Sequence, residues 1–336
     1  MVSGAFPGKT GRNDTNGERL TMDIVFFAKG IRGYTCLKKL LADGYAVTFV
    51  VGHDTDPHDT YSAITLAREH LIEVACPSNP NTQEFERVLR TQKADVFVLA
   101  GYGMILKENI ISIPKKICIN LHGGKLPEYR GSSPMNWALI NGDRTFGLSI
   151  IKVDTGVDSG PVLYAEEFPV KGNDTIVDLH RLANEAFPQM LTAVLGKIKS
   201  EDFIAQPQDA SKAQYYPLRF PDDGLILFDQ LKAEEIHNRI RALTEPYPCA
   251  FSFYKKRKVK LLSSCLQTGN FYGEPGRIYR KTEKGFLICG MDKCLWITKA
   301  VFADTGENVL AVVKKYEQMT TVRGFILYQA AKGDHV

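Results

Sequence analysis

Residues 22–51 read MDIVFFAKGIRGYTCLKKLLADGYAVTFVV, and the fold is decided there. Asp23 to Ala28 is a compact run of apolar β-formers ending near Gly30, the mark of a buried strand. Tyr34 to Leu41 places Leu37, Leu40 and Leu41 at helical spacing, and Tyr45 to Val51 returns to strand character. The alternation continues outward. Strands are expected at Ile72 to Cys76, Asp95 to Ala100, Ile117 to His122, Phe146 to Val153 and Pro161 to Val170, with helices at Asn81 to Gln92 and Pro134 to Asn141. Strands alternating with helices predict an α/β core, a doubly wound and mostly parallel Rossmann-like sheet.

A long helix is expected from Asp174-Thr175 to about Lys199, with Asp178 as a box-like cap and a kink at Pro188. Residues 200 to 224 are polar and hold Pro207, Pro217 and Pro221. A short helix near Ala233 to Leu243 precedes β-like runs at Ala250 to Tyr254, Lys258 to Ser264, Gly276 to Arg280, Gly285 to Cys289 and Leu295 to Thr298. Their spacing predicts a small, barrel-like β-rich end. The expected organisation is therefore a flexible leader (1–21), a catalytic domain (22–205), a linker (206–230) and a β-rich C-terminal domain (231–336).

The chain has 336 residues, 44% of them hydrophobic and 24% charged, which excludes disordered, collagenous and coiled-coil classes. No apolar run reaches the ~18–20 residues of a membrane span, so membrane insertion is not expected. Forty-two basic against 38 acidic residues is too mild a balance to select a nucleic-acid partner. The seven cysteines are scattered and mostly flanked by apolar residues, as expected of reduced thiols in a cytoplasmic protein.

The densest polar and glycine-rich cluster follows a predicted strand: Asn120-Leu121-His122-Gly123-Gly124-Lys125-Leu126-Pro127-Glu128-Tyr129-Arg130-Gly131. Ligands of open α/β sheets bind beyond the carboxyl ends of the strands. Strand alternation sends Asn120 and His122 to one side, where an amide and an imidazole can converge on one reacting group; a strand-end histidine that only satisfies local backbone is the plain alternative. A second polar loop, Asp154 to Gly160, carries Asp158, which could orient His122 and favour its cationic form. That loop lacks the ligand set of a calcium site. The segment Ala28-Lys29-Gly30-Ile31-Arg32-Gly33 is not a G-x-G-x-x-G dinucleotide fingerprint.

Asn120-x-His122, Leu-Pro-x-Tyr-Arg-Gly (126–131), Trp137, Gly142 and Val157-Asp158-Ser159-Gly160 together resemble the signature of 10-formyltetrahydrofolate-dependent formyltransferases. The likeness extends from about Met22 to Thr298. It implies that Asn120 and His122 stabilise the oxyanion formed when an amine attacks the formyl carbon, that Asp158 holds His122 and helps remove the amine proton, and that no metal is needed. It implies a 10-formyltetrahydrofolate pocket near Met104, Ile105 and Leu106 and near Asp154, Thr155, Gly156 and Val157, although core packing also accounts for residues 104 to 106. A homodimer is a further expectation from the family.

Methionyl-tRNA formyltransferases resemble the chain but carry a basic insertion after the second strand. Here that position reads Gly52-His53-Asp54-Thr55-Asp56-Pro57-His58-Asp59-Thr60, without Lys or Arg, and such a loop repels phosphates. A metal site at His53 and His58 is the less economical reading of it. Pro134 to Trp137 and Arg219 to Gly224 resemble sugar-nucleotide N-formyltransferases, among them the formyltransferase half of the bifunctional UDP-4-amino-4-deoxy-L-arabinose enzyme. The implied acceptor is a UDP- or dTDP-linked amino sugar destined for a surface glycan such as lipopolysaccharide, with Gly123, Gly124, Lys125, Tyr129, Arg130 and Arg219 as substrate-binding candidates. Arg130 could instead brace its own loop. The run Lys255 to Lys260 reads as a solvated hairpin tip, with tRNA contact as its alternative. Methionyl-tRNA formylation, a non-catalytic nucleic-acid-binding role and formyl-folate hydrolysis are the competing functions.

Overall fold

Asp23–Ala28 forms β1, buried along its whole length. Helix α1 (Gly30–Ala42) turns Cys36, Leu37 and Leu40 inward, and β2 (Ala46–Val51) follows. A Cβ on Gly33 would lie 2.8 Å from the Ala28 side chain and 3.3 Å from the Ala100 carbonyl, so a glycine lets α1 approach the sheet. The computed structural model describes residues 22–53, 61–324 and 326–327. The expected leader (1–21) and most of the acidic loop (54–60) lie outside the described residues.

Helix α2 (Ala63–Glu69) is capped by Ser62, whose hydroxyl accepts from the Thr65 amide, and was not expected from the sequence. Then come β3 (Glu73–Ala75), α3 (Gln83–Thr91), β4 (Val96–Ala100), the one-turn α4 (Glu108–Ile111) and β5 (Ile117–His122). Beyond a two-residue β6 (Arg130–Gly131) lie α5 (Pro134–Asn141), β7 (Thr145–Lys152), β8 (Val162–Pro169) and α6 (Ile176–Lys199). Pro188 sits inside α6, which continues through it. At its start the Asp178 carboxylate accepts from the amide and hydroxyl of Thr175, as the capping pattern predicts.

All of these strands except β6 form a seven-stranded sheet in the order β3-β2-β1-β4-β5-β7-β8. The pairs β1–β2, β1–β4, β2–β3 and β4–β5 are parallel, whereas β7 runs antiparallel to β5 with Asn120 opposite Ile151 and His122 opposite Ser149. Phe27, Phe49, Phe97, Leu99 and Leu106 are buried together on one face with Phe85 and Leu89 of α3.

The remaining elements are β9 (Tyr215–Tyr216), α7 (Ala233–Ala242), β10 (Ala250–Tyr254), β11 (Arg257–Leu266), β12 (Ile278–Thr282), β13 (Gly285–Cys289), β14 (Cys294–Phe302) and the one-turn α8 (Val309–Val312). Strands β10 to β14 form a five-stranded antiparallel sheet in the order β10-β11-β14-β13-β12. The doubly wound core and the separate β-rich end are thus both present. Lys255 and Lys256, with φ of 48° and 66°, make the two-residue turn between β10 and β11.

All seven cysteines were expected to be reduced core residues. Cys289 and Cys294 are buried and stand opposite each other across the β13–β14 hairpin, because the short turn between them fixes that register. Cys36, Cys118 and Cys249 are buried free thiols, and Cys76 is exposed. By packing, the chain divides into two compact units. Of the described residues, one contains those up to His122, Ser149–Ala165 and Asn184–Gln208; the other contains Gly123–Leu148, Glu166–Ala183 and those from Asp209 onward. Among the described residues no helix is long and apolar enough to cross a membrane.

Candidate active site

Asn120 and His122 occupy the carboxyl end of β5, and the His122 side chain is only 6% exposed. The one intervening residue, Leu121, turns to the opposite face, which is why the two polar side chains meet. Asp158 reaches both from the loop between β7 and β8. Its Oδ2 is 3.5 Å from His122 Nδ1 and its Oδ1 is 3.5 Å from Asn120 Nδ2. One carboxylate therefore bridges the amide and the imidazole, and Nδ1 is the ring nitrogen turned to it.

The loop is built to hold this geometry. Asp158 has φ of +48°, in the left-handed region. Asp154 braces the loop from within, accepting from the Gly156 amide (3.1 Å) and the Ser159 hydroxyl (2.8 Å). At its base the Lys152 amide donates to Pro161 O (2.9 Å), and Val153 N donates to Cys118 O (2.8 Å). Gln208 Nε2 donates to the carbonyls of Asp158 (2.8 Å) and Gly160 (2.7 Å). Sequence reasoning missed Gln208, which stands in a proline-containing stretch with no spacing relation to the motif.

Of the residues expected to line a folate pocket, Leu106 is buried in the core and Met104 packs against it, while the Ile105 side chain is 75% exposed. Asn81 fixes this segment, donating to Ile105 O (2.9 Å) and accepting from Lys107 N (2.7 Å). Among the described residues no protein group bonds the main-chain N–H or C=O of Met104 or Leu106. Thr155, Gly156 and Val157 are exposed, and Asp154 is engaged by Ser159. His53 stands edge-on to Tyr102, and His58 lies outside the described residues. No group of three or more metal-ligating side chains gathers among the described residues.

The other candidates belong to the second unit. Gly123, Gly124, Lys125 and Tyr129 line a cavity of about 170 Å³ with Glu128, Asp143 and Thr145. Lys125 pairs with Glu167 (2.9 Å), and that bond holds the ammonium above and the carboxyl below their ordinary pKa values. The Tyr129 hydroxyl donates to Asp143, and burial together with this carboxylate raises the phenol's pKa. Arg130 is 5% exposed and donates to the Tyr215 hydroxyl (2.7 Å). Arg219 lies over the Trp137 ring (4.8 Å), Trp137 packs on Tyr216, and Tyr216 stacks on Tyr129. Burial lowers the Arg219 pKa.

The formyl transferase domain family matches residues 42–195, and the formyl transferase C-terminal domain family matches residues 220–307. The methionyl-tRNA formyltransferase of Acetivibrio thermocellus is 32% identical over 280 residues, covering 81% of this chain and 89% of that protein. The chain belongs to the formyl transferase family. It is an enzyme that transfers a formyl group, as the motif resemblance implies.

Among solved structures, the formyl transferase resembles the N-formyltransferase of Helicobacter canadensis, determined with folinic acid and dTDP-3-aminofucose. The two share a TM-score of 0.67 and 21% identity over 82% of this chain and 99% of that one. It also resembles HypX from Aquifex aeolicus, with a TM-score of 0.61 and 16% identity over 93% of this chain, which spans 48% of HypX. At these identities the likeness is one of fold.

Proposed function

We propose that this formyl transferase moves the formyl group of 10-formyltetrahydrofolate to the amine of a nucleotide-linked amino sugar. The chemistry rests on the convergence of Asn120, His122 and Asp158. The folate supplies an activated formyl carbon. The unclaimed main-chain groups of Met104 and Leu106, beside the exposed Ile105, fit the hydrogen-bonding edge of a pterin. Asn120 Nδ2 and the His122 ring donate to the oxyanion that develops when the amine attacks, and donors of this kind each contribute about 10²- to 10³-fold to rate. Asp158 orients the ring through Nδ1 and accepts the proton lost by the amine, directly or through water. Collapse of the oxyanion then breaks the bond between the formyl carbon and folate N10, and N10 takes up that proton as tetrahydrofolate leaves.

The choice of acceptor is carried by one observation: residues 52–60 hold Asp54, Asp56 and Asp59 and no cation, a poor surface for a polyanionic acceptor stem. The alternative acceptor, methionyl-tRNA, is favoured by the sequence relatives of that name. Against it, two cations of the basic run face acids: Lys255 lies 2.7 Å from Glu317, and Arg257 lies 2.9 Å from Asp304.

Formyl transfer from 10-formyltetrahydrofolate, followed by mass spectrometry, separates the two. UDP- and dTDP-linked 3- and 4-amino sugars are offered beside methionyl-tRNA. A formyl mass on a sugar nucleotide is expected; formylation of the tRNA alone overturns the acceptor assignment. Folate consumption without either product points to hydrolysis.

A further inference from the structure

Gln208 is not one of the motif residues, yet its side chain is bonded to the loop that carries Asp158. Nε2 donates to Asp158 O at 2.8 Å and to Gly160 O at 2.7 Å. A primary amide nitrogen has two N–H bonds, so both are committed to this loop; carbonyls only accept, which fixes the amide's orientation. Gln208 is itself anchored. Two residues before it, Gln206 pairs antiparallel with Val162 at the start of β8, through backbone bonds of 2.8 and 2.9 Å.

Asp158 needs such a clamp. Residues with a Cβ hold the left-handed conformation only where their surroundings over-determine it. The Asp154 bonds hold Gly156 and Ser159 on either side of Asp158, and the Lys152–Pro161 bond closes the base of the loop. The contacts to Asn120 and His122, at 3.5 Å, are too long to pin the backbone. Gln208 bonds the main chain on both sides of Ser159, from outside the loop.

We infer that Gln208 is a positioning residue, holding the main chain of residues 158–160 so that the Asp158 carboxylate faces His122 and Asn120 before substrate arrives. The inference rests on the proposed roles of those three side chains. Gln208 then acts on rate through Asp158 and touches neither substrate.

The test compares Gln208→Met, which keeps length and removes both donors, and Gln208→Glu, which keeps shape and sets carboxylate oxygens against the two carbonyls. Both are measured beside Asp158→Asn, with 10-formyltetrahydrofolate and whichever of a dTDP-linked 3-amino sugar or methionyl-tRNA the wild type formylates. Thermal midpoints establish that each variant is folded; should one variant not fold, the other carries the test. Expected is a kcat about 10²-fold lower, KM values within about threefold of wild type, and a pH dependence of kcat moved to that of Asp158→Asn. A wild-type kcat, a loss confined to KM, or a lower kcat with the wild-type pH dependence each overturns the inference. Wild-type turnover in Asp158→Asn places the failure in the proposed function instead.

Discussion

Gly160→Ala is the sharpest perturbation of the loop that carries Asp158. A Cβ at this position would lie 1.8 Å from Lys152 O and 3.0 Å from the carbonyl carbon. Both atoms are backbone, and Lys152 is held in β7 opposite Ile119 with its amide bonded to Pro161 O, so no side-chain rotation relieves the overlap. Reaching even a 3.0 Å contact requires the loop to move by about 1.2 Å. That shift passes directly to Asp158, two residues away, whose carboxylate already stands 3.5 Å from its partners. Misplacement of a catalytic group by about 1 Å costs about 10²-fold in rate, so kcat should fall at least that far. Overpacking should also lower stability by about 1–3 kcal/mol. The assay is formyl transfer under saturating substrates, with a thermal melt of the same sample. Gly172→Ala is the control, because nothing stands within 4 Å of its Cβ position and no positive φ is involved. A Gly160→Ala enzyme turning over within about threefold of wild type would refute the coupling of loop position to catalysis.

His122→Ala and Asn120→Ala should each reduce kcat by about 10²- to 10³-fold in single-turnover formyl transfer, with little change in the thermal midpoint. His237 is 5% exposed, with Nδ1 on Ser264 Oγ and Nε2 on Gly172 O, and burial holds its pKa below the usual 6.5. The unfolded chain then binds the extra proton more readily, so stability should be full above pH 6.5 and decline as pH falls below it; His237→Gln should flatten that part of a melt-versus-pH curve. Bonds from Lys255 and Tyr254 pull the Glu317 carboxyl down to about 2. Its contribution is present above the ordinary value of 4.5 and lost as pH falls toward 2, so acid titration should destabilise wild type more than Glu317→Gln in that window.

What could be read from the sequence was governed by local rules. Two-residue alternation places Asn120 and His122 together, and an apolar run bounded by glycine marks β1 and β4, because both patterns act within a few residues. The run Lys255 to Lys260 reads as a hairpin tip, whereas only Lys255 and Lys256 turn and Arg257 to Lys260 belong to β11. Asp158 stood out only as a carboxylate in a polar loop between two strands, and the motif resemblance gave it its role, since no spacing rule links a loop residue to a strand end 36 positions earlier. Gln208 carried no signal: its partners are main-chain carbonyls, which every residue possesses. The reversal of β7 against β5 was equally hidden, because apolar periodicity records burial and not strand direction. That Cys289 stands opposite Cys294 is a consequence of hairpin register, of which flanking apolar residues gave no notice.

The bond from Lys152 to Pro161 brings the two ends of the Asp158 loop together, so residues 153–160 hang from the sheet as a ring closed at its neck. Such a ring can open and re-form without any strand parting from its neighbour, and segments of this kind exchange their amide hydrogens well below the free energy of global unfolding. On gentle heating or in dilute denaturant, turnover should fade while the circular dichroism of the sheet is still intact, and it should return as promptly when the stress is removed. Working lifetime and structural lifetime are then separate properties of this enzyme, the first set at one neck of the chain and the second by the strands beneath it.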